Sequence, residues 1–289
     1  MTLNDIRVTI QGVSGCFHEA AAREYFSKHL PDKRVQAVEC ETFEKMFDLL
    51  DTDVSLLGIM AIENTIAGPL LQNHELLTKS KLFIAGEHKV RISHVLAALP
   101  DDNIDDIREV ISHPMALMQC AQFLATLPDV KISEAFDTAG SAALIAKQQS
   151  RGKAAVCSQL AAEKYGLKIL EAGIETNKRN FTRFLILAHN ENADILRYSR
   201  ESADKSSMVF TLPHTQGALS KVLTILSFYD MNLTKIQSTP IVGKEWEYRF
   251  YVDLSFKDYN KYLQALEAVR PLTSDLKILG EYKSCNNSI

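Results

Sequence analysis

The residues best equipped to do chemistry are Asn180-Phe181-Thr182-Arg183-Phe184, with the apolar Leu185-Ile186-Leu187 behind them. Branched and aromatic residues after the polar run Thr176-Asn177-Lys178-Arg179 read as a strand. A period of two puts Thr182 and Phe184 on one face and Phe181 and Arg183 on the other. A buried strand has no structural need for a hydroxyl beside a guanidinium. Thr182 can act as a positioned hydrogen-bond donor, and Arg183 can counter a carboxylate or brace Glu63. A strand end with an incidental ion pair is the equally simple structural reading.

Two other stretches offer anion chemistry. After the alternating Ile6, Val8 and Ile10, the turn Gln11-Gly12-Val13-Ser14-Gly15 leads into a helix. The backbone N–H groups of Ser14 and Gly15 at such a turn can hold a carboxylate or phosphate without a basic side chain. The third glycine of a dinucleotide fingerprint is missing, and a tight turn without ligand is the alternative. The continuous apolar run Leu56 to Ile62 has the length of a strand covered on both faces, and it ends in Glu63-Asn64-Thr65. Ligands in open α/β sheets gather at the carboxyl ends of strands, so these three are binding candidates, with helix capping by Asn64 or Thr65 as the competing use. His113 before Pro114 suits either a helix cap or a ligand contact, and His94 on an extended segment reads as a satisfied core histidine.

These groups need a scaffold, and the chain supplies alternating strands and helices. Phe17, Ala21 and Tyr25, beside Ala22, Phe26 and Leu30, make one helix face, and Phe43, Met46, Phe47 and Leu50 make the next. Extended segments through Val90, Ile92, Val95 and Leu96 read as a crossing to a second lobe, roughly 92–165, with the same βα rhythm. There Val110-Ile111-Ser112, Val130 to Glu134 and Lys153 to Cys157 alternate with helices capped by Asp137-Thr138 and Ser158. One excursion and return predicts a two-lobed, periplasmic-binding-protein-like α/β domain over 1–190. A polar linker follows over 191–205, apolar only at Ile195-Leu196 and Tyr198. Residues 206–289 then read as strand, helix, strand, strand, helix, strand, a ferredoxin-like βαββαβ unit.

Composition narrows the class. At 289 residues with 46% hydrophobic content the chain can bury a large core, and a net charge of −4 argues against nucleic acid or an anionic membrane as main partner. Five widely spaced cysteines, without a Cys-x-x-Cys pair, suggest a reducing compartment. With neither a signal sequence in the first residues nor a long apolar run, a cytoplasmic protein is expected.

Five segments, in order, carry a resemblance: Ile62 to Gly68, His113 to Cys120, Asp137 to Ala143, Ala154 to Ser158 with Ala161 to Leu167, and Asn180 to Phe184. Together they resemble prephenate dehydratases, the last matching that family's Thr-Arg-Phe signature, and the resemblance covers nearly the whole chain. It implies that prephenate loses CO2 and water to give phenylpyruvate in phenylalanine biosynthesis, with Thr182 catalytic. It further implies substrate contacts from Ser14, Gly15, Glu63, Asn64, Thr65, Thr138, Asn180, Phe181 and Arg183, and no cofactor or metal. Cys16 stands where the family usually has a hydroxyl residue, Thr65 where it has Ser, and Ala67 where it has Glu. Arogenate dehydration and non-catalytic amino-acid sensing are the rival readings. No chorismate mutase helices precede residue 6, so a monofunctional enzyme is expected.

The C-terminal unit resembles ACT regulatory domains. Gly217-Ala218-Leu219 matches their ligand-binding corner, which implies L-phenylalanine as effector and a homodimer or homotetramer. The family's Glu-Ser-Arg-Pro element is replaced by Gln237-Ser238-Thr239-Pro240, so amino-acid binding through Gln237 and Ser238 is expected to be weakened.

Overall fold

The continuous apolar run proposed as a doubly covered strand is β3 (Leu57–Asn64), and it lies at the middle of a sheet. Its first six residues are buried, and only Glu63 and Asn64, at the carboxyl end, are partly exposed. The computed structural model describes residues 5–196, 199–241 and 243–285, so Tyr198 of the expected linker lies outside the described residues. Before β3 come β1 (Asp5–Gln11), α1 (Phe17–His29), β2 (Arg34–Cys40) and α2 (Phe43–Thr52). After it come β4 (Gly68–Pro69), α3 (Leu71–Lys79) and β5 (Phe83–Arg91). β1 and β2 pair in parallel. The helix faces read from spacing are the ones buried, with Ala21, Ala22, Tyr25 and Phe26 on α1 and Met46, Phe47 and Leu50 on α2.

The chain then builds a second sheet from β6 (Val95–Ala98), β7 (Glu109–Ser112), β8 (Lys131–Glu134), β9 (Lys153–Cys157) and β10 (Lys168–Ala172). Its helices are α4 (Pro114–Gln119), α5 (Ala121–Leu124), α6 (Thr138–Gln148) and α7 (Gln159–Lys164). The strand order is β10-β6-β9-β7-β8. β7 runs parallel to β8 and β9, but β6 is antiparallel to both β9 and β10. The sheet is therefore mixed: crossover helices make its βα part parallel, whereas the crossing strand β6 enters in the opposite sense. The chain returns through 173–180 into β11 (Phe181–Ala188), completing the first sheet in the order β2-β1-β3-β11-β5.

The last elements are β12 (Lys205–Thr211), α8 (Ala218–Phe228), β13 (Asn232–Pro240), β14 (Tyr248–Ser255), α9 (Tyr259–Val269) and β15 (Ser274–Tyr282). Their sheet order, β13-β14-β12-β15, is that of a ferredoxin-like split βαβ unit. Its core joins Met208, Phe210, Val222, Leu226, Val252, Leu254, Tyr262 and Leu266.

The structure divides into two compact units: the chain up to Leu50, Gly58–Pro69 and Lys89–Phe184 form one, and Asp51–Leu57, Leu70–His88 and Leu185 onward form the other. Within the second unit α3 and the start of β5 are fastened to the βαββαβ elements. Lys205 Nζ lies 2.8 Å from Glu87 Oε2, both side chains buried. Lys277 Nζ donates to Thr78 O (2.7 Å) and Ser80 O (2.8 Å), capping the carbonyl end of α3. Gly280 is required where β15 passes β5, because a Cβ there would sit 2.4 Å from Ile84 O. Among the described residues no helix is long and apolar enough to cross a membrane.

Candidate functional site

Thr182 is the second residue of β11 and Asn64 the last of β3, and these strands are neighbours. The loop after β3 is stitched to β11 by Thr65. Its N–H donates to Phe181 O (2.9 Å), while its hydroxyl accepts from Phe181 N (2.9 Å) and donates to Arg179 O (3.1 Å). Thr65, proposed as a substrate contact, thus spends its hydroxyl on the loop. Asn64 Oδ1 accepts from the N–H groups of Ile66 and Ala67, both at 2.8 Å, which fixes which way its amide faces. Its Nδ2 must then donate toward Asn180 Oδ1 (2.7 Å) and Thr182 Oγ1 (2.9 Å), with Phe181 O at 3.2 Å. Because Asn64 supplies the hydrogen of that contact, the Thr182 hydroxyl proton is left for another acceptor. At 9% exposure Thr182 is nearly dry, a setting in which one donor acts strongly.

The amide orientation propagates. Asn180 is fully buried, and with its Oδ1 occupied its Nδ2 donates to Gln119 Oε1 (3.0 Å) at the end of α4. Gln119 Oε1 is also 3.0 Å from His94 Nε2. Beneath His94 lies Glu175, 1% exposed, which accepts from the His94 N–H (3.0 Å) and pairs with Arg91 Nη2 (3.0 Å). Burial would raise its carboxyl, but the His94 N–H, Lys178 and Ser93 outweigh burial and hold it below the usual carboxylate range.

Arg183 and Glu63 meet each other, Nη1 to Oε1 at 3.0 Å, which realises the bracing use that the sequence left open to Arg183. The strand alternation that points Arg183 away from Thr182 brings it beside the neighbouring strand β3. At the Gly-rich turn the chain supplies acceptors of its own. Ser14 N donates to the exposed Glu39 Oε1 (2.8 Å) and Gly15 N to the buried Glu19 Oε2 (2.6 Å), so each of these N–H groups has a carboxylate of the chain as its partner. Glu19 sits three residues past the N-cap, where a carboxylate turns back onto the preceding N–H groups. Burial would raise it, but the Gly15 N–H, Arg23, Ser14 and Lys164 bring it down to about 2. The turn is also bolted to α7. Ser158 Oγ donates to Gly15 O (2.5 Å), Tyr165 to Ser14 O (2.7 Å) and Lys164 Nζ to Ser14 Oγ, while a Cβ on Gly15 would meet Ala161 Cα at 2.8 Å.

Cys16, which stands where the family usually has a hydroxyl residue, is a core thiol. It donates to Gln11 O (3.5 Å), and burial pushes it up to about 12. Thr138 opens α6, whose N-cap Asp137 accepts from Gly140 N at 2.6 Å. His113 caps α4 by accepting from Met115 N, so its capping use is realised. His18, passed over in the sequence, packs edge-on against Phe184 and Phe43 and accepts from Ala61 N (3.3 Å); burial lowers it to about 4, so it is neutral.

The arrangement is a positioned hydroxyl donor held by amides, in a site with buried carboxylates of its own. Residues 8–192 match the family model described as prephenate dehydratase. The chain belongs to the prephenate dehydratase family. Among its relatives, arogenate dehydratase/prephenate dehydratase 6 of Arabidopsis thaliana is 37% identical, covering 96% of this chain and 69% of the relative. A prephenate dehydratase from Arthrobacter aurescens, solved in complex with L-Phe, has 26% identity and a TM-score of 0.83 over 96% of this chain and 90% of that one. GqqA, described as a novel type of quorum quenching acylase, has 27% identity and a TM-score of 0.85 over 97% and 98% of the two chains.

Within this prephenate dehydratase site the residues that sequence reasoning missed are Gln119, Glu175, Glu19 and the ring of His94. Gln119 lay inside a segment already matched, and Glu19 had the spacing of a capping box. Glu175 had no local signal, because its partners Arg91 and His94 lie more than 80 positions away in the chain.

Proposed function

We propose that the protein converts prephenate to phenylpyruvate, CO2 and water, with Thr182 as the principal catalytic donor. The observation that carries this reading is the Asn64-to-Thr182 hydrogen bond, which leaves the Thr182 proton available in a nearly dry site. In the reaction the electron pair of the bond to the ring carboxylate moves into the ring as CO2 leaves. The pair of the ring C–O bond departs with the hydroxyl, which takes a proton and leaves as water. Aromatisation drives these steps, so the protein's work is alignment and hydrogen bonding to the leaving oxygen. A Thr hydroxyl is too weak an acid for ordinary pKa-matched transfer; it donates to the developing hydroxide and is reprotonated from water. Ser14, Gly15, Thr138 and Phe181 are proposed to line the substrate, with the exposed Glu39 giving way to a substrate carboxylate at Ser14.

An acylase reading, suggested by the likeness to GqqA, needs a nucleophile activated by a base. Here the Thr182 oxygen is met by an amide donor, which favours leaving-group donation. Purified protein incubated with prephenate should produce phenylpyruvate. Formation of no product from prephenate or from arogenate would overturn the dehydratase reading.

The βαββαβ unit is proposed as an ACT regulatory domain for L-phenylalanine. Gly217 takes the left-handed conformation (φ 76°) at the N-cap of α8, and Gln237 Nε2 donates to Ser238 O. A neutral Gln237 offers the effector's ammonium one carbonyl where a Glu would offer charge. Gln237→Glu is expected to strengthen phenylalanine inhibition roughly 3- to 30-fold, the difference between a neutral and a charge-assisted hydrogen bond. Inhibition curves for the two proteins test this, and no response in either would mean that the unit serves assembly only. Phe228, 82% exposed beside Leu219 and Leu223 on α8, supports a homodimer or homotetramer through this unit. The five free cysteines support a reducing, cytoplasmic setting.

A further inference from the structure

Prephenate carries two carboxylates that make opposite demands on a protein. The ring carboxylate must release its electron pair into the ring, so a cation bound to it would resist the reaction. The side-chain carboxylate keeps its charge from substrate to product, and a cation can hold it without opposing the chemistry. Arg183 is not that cation, being paired with Glu63, and Arg91 is paired with the buried Glu175. Lys164, the last residue of α7, is placed differently.

Lys164 Nζ donates to Ser14 Oγ and lies 3.2 Å from both oxygens of Glu19. An ammonium has three N–H groups, of which one goes to Ser14 and one to the Glu19 carboxylate. The third has no partner among the described residues, on a side chain 35% exposed. The charges agree. Arg23 binds Glu19 Oε1 through Nε (2.9 Å) and Nη2 (2.7 Å), which by itself balances that buried carboxylate and leaves the charge of Lys164 in surplus. Beside it the Ser14 N–H already receives a carboxylate oxygen at 2.8 Å, from Glu39. Because Glu39 is exposed, this is the geometry of a carboxylate site with a displaceable occupant. The turn is also remote from Thr182 along the site. Phe17, three residues on from Ser14, meets the His94 ring at 5.4 Å, and His94 leads back to Thr182 only through Gln119, Asn180 and Asn64.

We propose that Lys164, together with the Ser14 N–H, binds the side-chain carboxylate of prephenate, and that Glu39 holds this place until substrate displaces it. The proposal rests on the dehydratase reading. Prephenate bears its hydroxyl and its side chain at opposite ends of the ring, so a hydroxyl at Thr182 lets the side chain reach toward the turn. Since the side-chain carboxylate is the same in ground and transition states, Lys164 contributes to binding and not to the chemical step. The product phenylpyruvate retains that carboxylate and is held by the same contact.

Lys164→Gln should raise KM for prephenate about tenfold, the difference between a charge-assisted and a neutral hydrogen bond, and leave kcat within about twofold. The inhibition constant of phenylpyruvate should rise by the same factor, and Lys164→Arg should restore most of both. The effect should survive a severalfold rise in ionic strength, because a direct contact is screened far less than a distant charge. Glu39→Ala, a change at an exposed side chain that needs no repacking, removes the competing carboxylate and should lower KM about threefold. A Lys164→Gln protein with unchanged KM, or with the loss in kcat alone, overturns the proposal, as does a KM unchanged or raised in Glu39→Ala. Wild-type protein that forms no phenylpyruvate from prephenate overturns the dehydratase reading instead.

Discussion

Thr182→Ala is expected to lower kcat by about 100- to 1000-fold, the cost of removing one preorganised donor from a developing oxyanion. KM should change far less, because the bond to the leaving oxygen strengthens mainly as that oxygen acquires charge. The substitution also leaves one Asn64 amide hydrogen without Thr182 Oγ1, but that amide keeps Asn180 Oδ1 and Phe181 O in reach, so the fold around it should hold. Thr182→Ser, which restores a hydroxyl, should recover a large part of the lost rate. Steady-state kinetics with prephenate on the folded variants decide the matter. A Thr182→Ala protein turning over near the wild-type rate would remove Thr182 from the mechanism.

The second large effect is on stability. Lys205 and Glu87 form an ion pair with both side chains buried, and Cys285 N adds a further donor to Glu87 at 3.0 Å. Lys205→Met takes the buried cation away from the Glu87 carboxylate, which costs about 3 kcal/mol or more. For a chain of this size that corresponds to a melting temperature lower by about 5 °C. Adding Glu87→Gln should recover more than half of the loss, since it removes the charge that had faced Lys205 and keeps an acceptor for Cys285 N. Calorimetry on the two proteins provides the check, and Lys205→Met melting within about 2 °C of wild type would show that the pair contributes little.

Much of the architecture was legible without coordinates because local sterics and solvent set it. Leu56 to Ile62 could only be a strand covered on both sides, the spacing of Phe43, Met46, Phe47 and Leu50 could only bury one helix face, and the last 80 or so residues spelled out their own split βαβ order. The family likeness marked Thr182, Asn64 and Asn180 by type. Their relation to one another was not legible: Asn64 and Thr182 are 118 residues apart, and only the pairing of neighbouring strands brings the amide to the hydroxyl. Strand alternation did anticipate that Arg183 could brace Glu63, but spacing did not reveal that Glu39 reaches the turn at Ser14, or that β6 runs against its neighbours. The tautomer of His94 lies furthest from the sequence, set by backbone N–H groups at Ile66 and Ala67 through three intervening side-chain amides. Periodicity determines which side of an element is buried. Which polar groups then face one another follows from how the elements close in space, where each buried donor must find its acceptor.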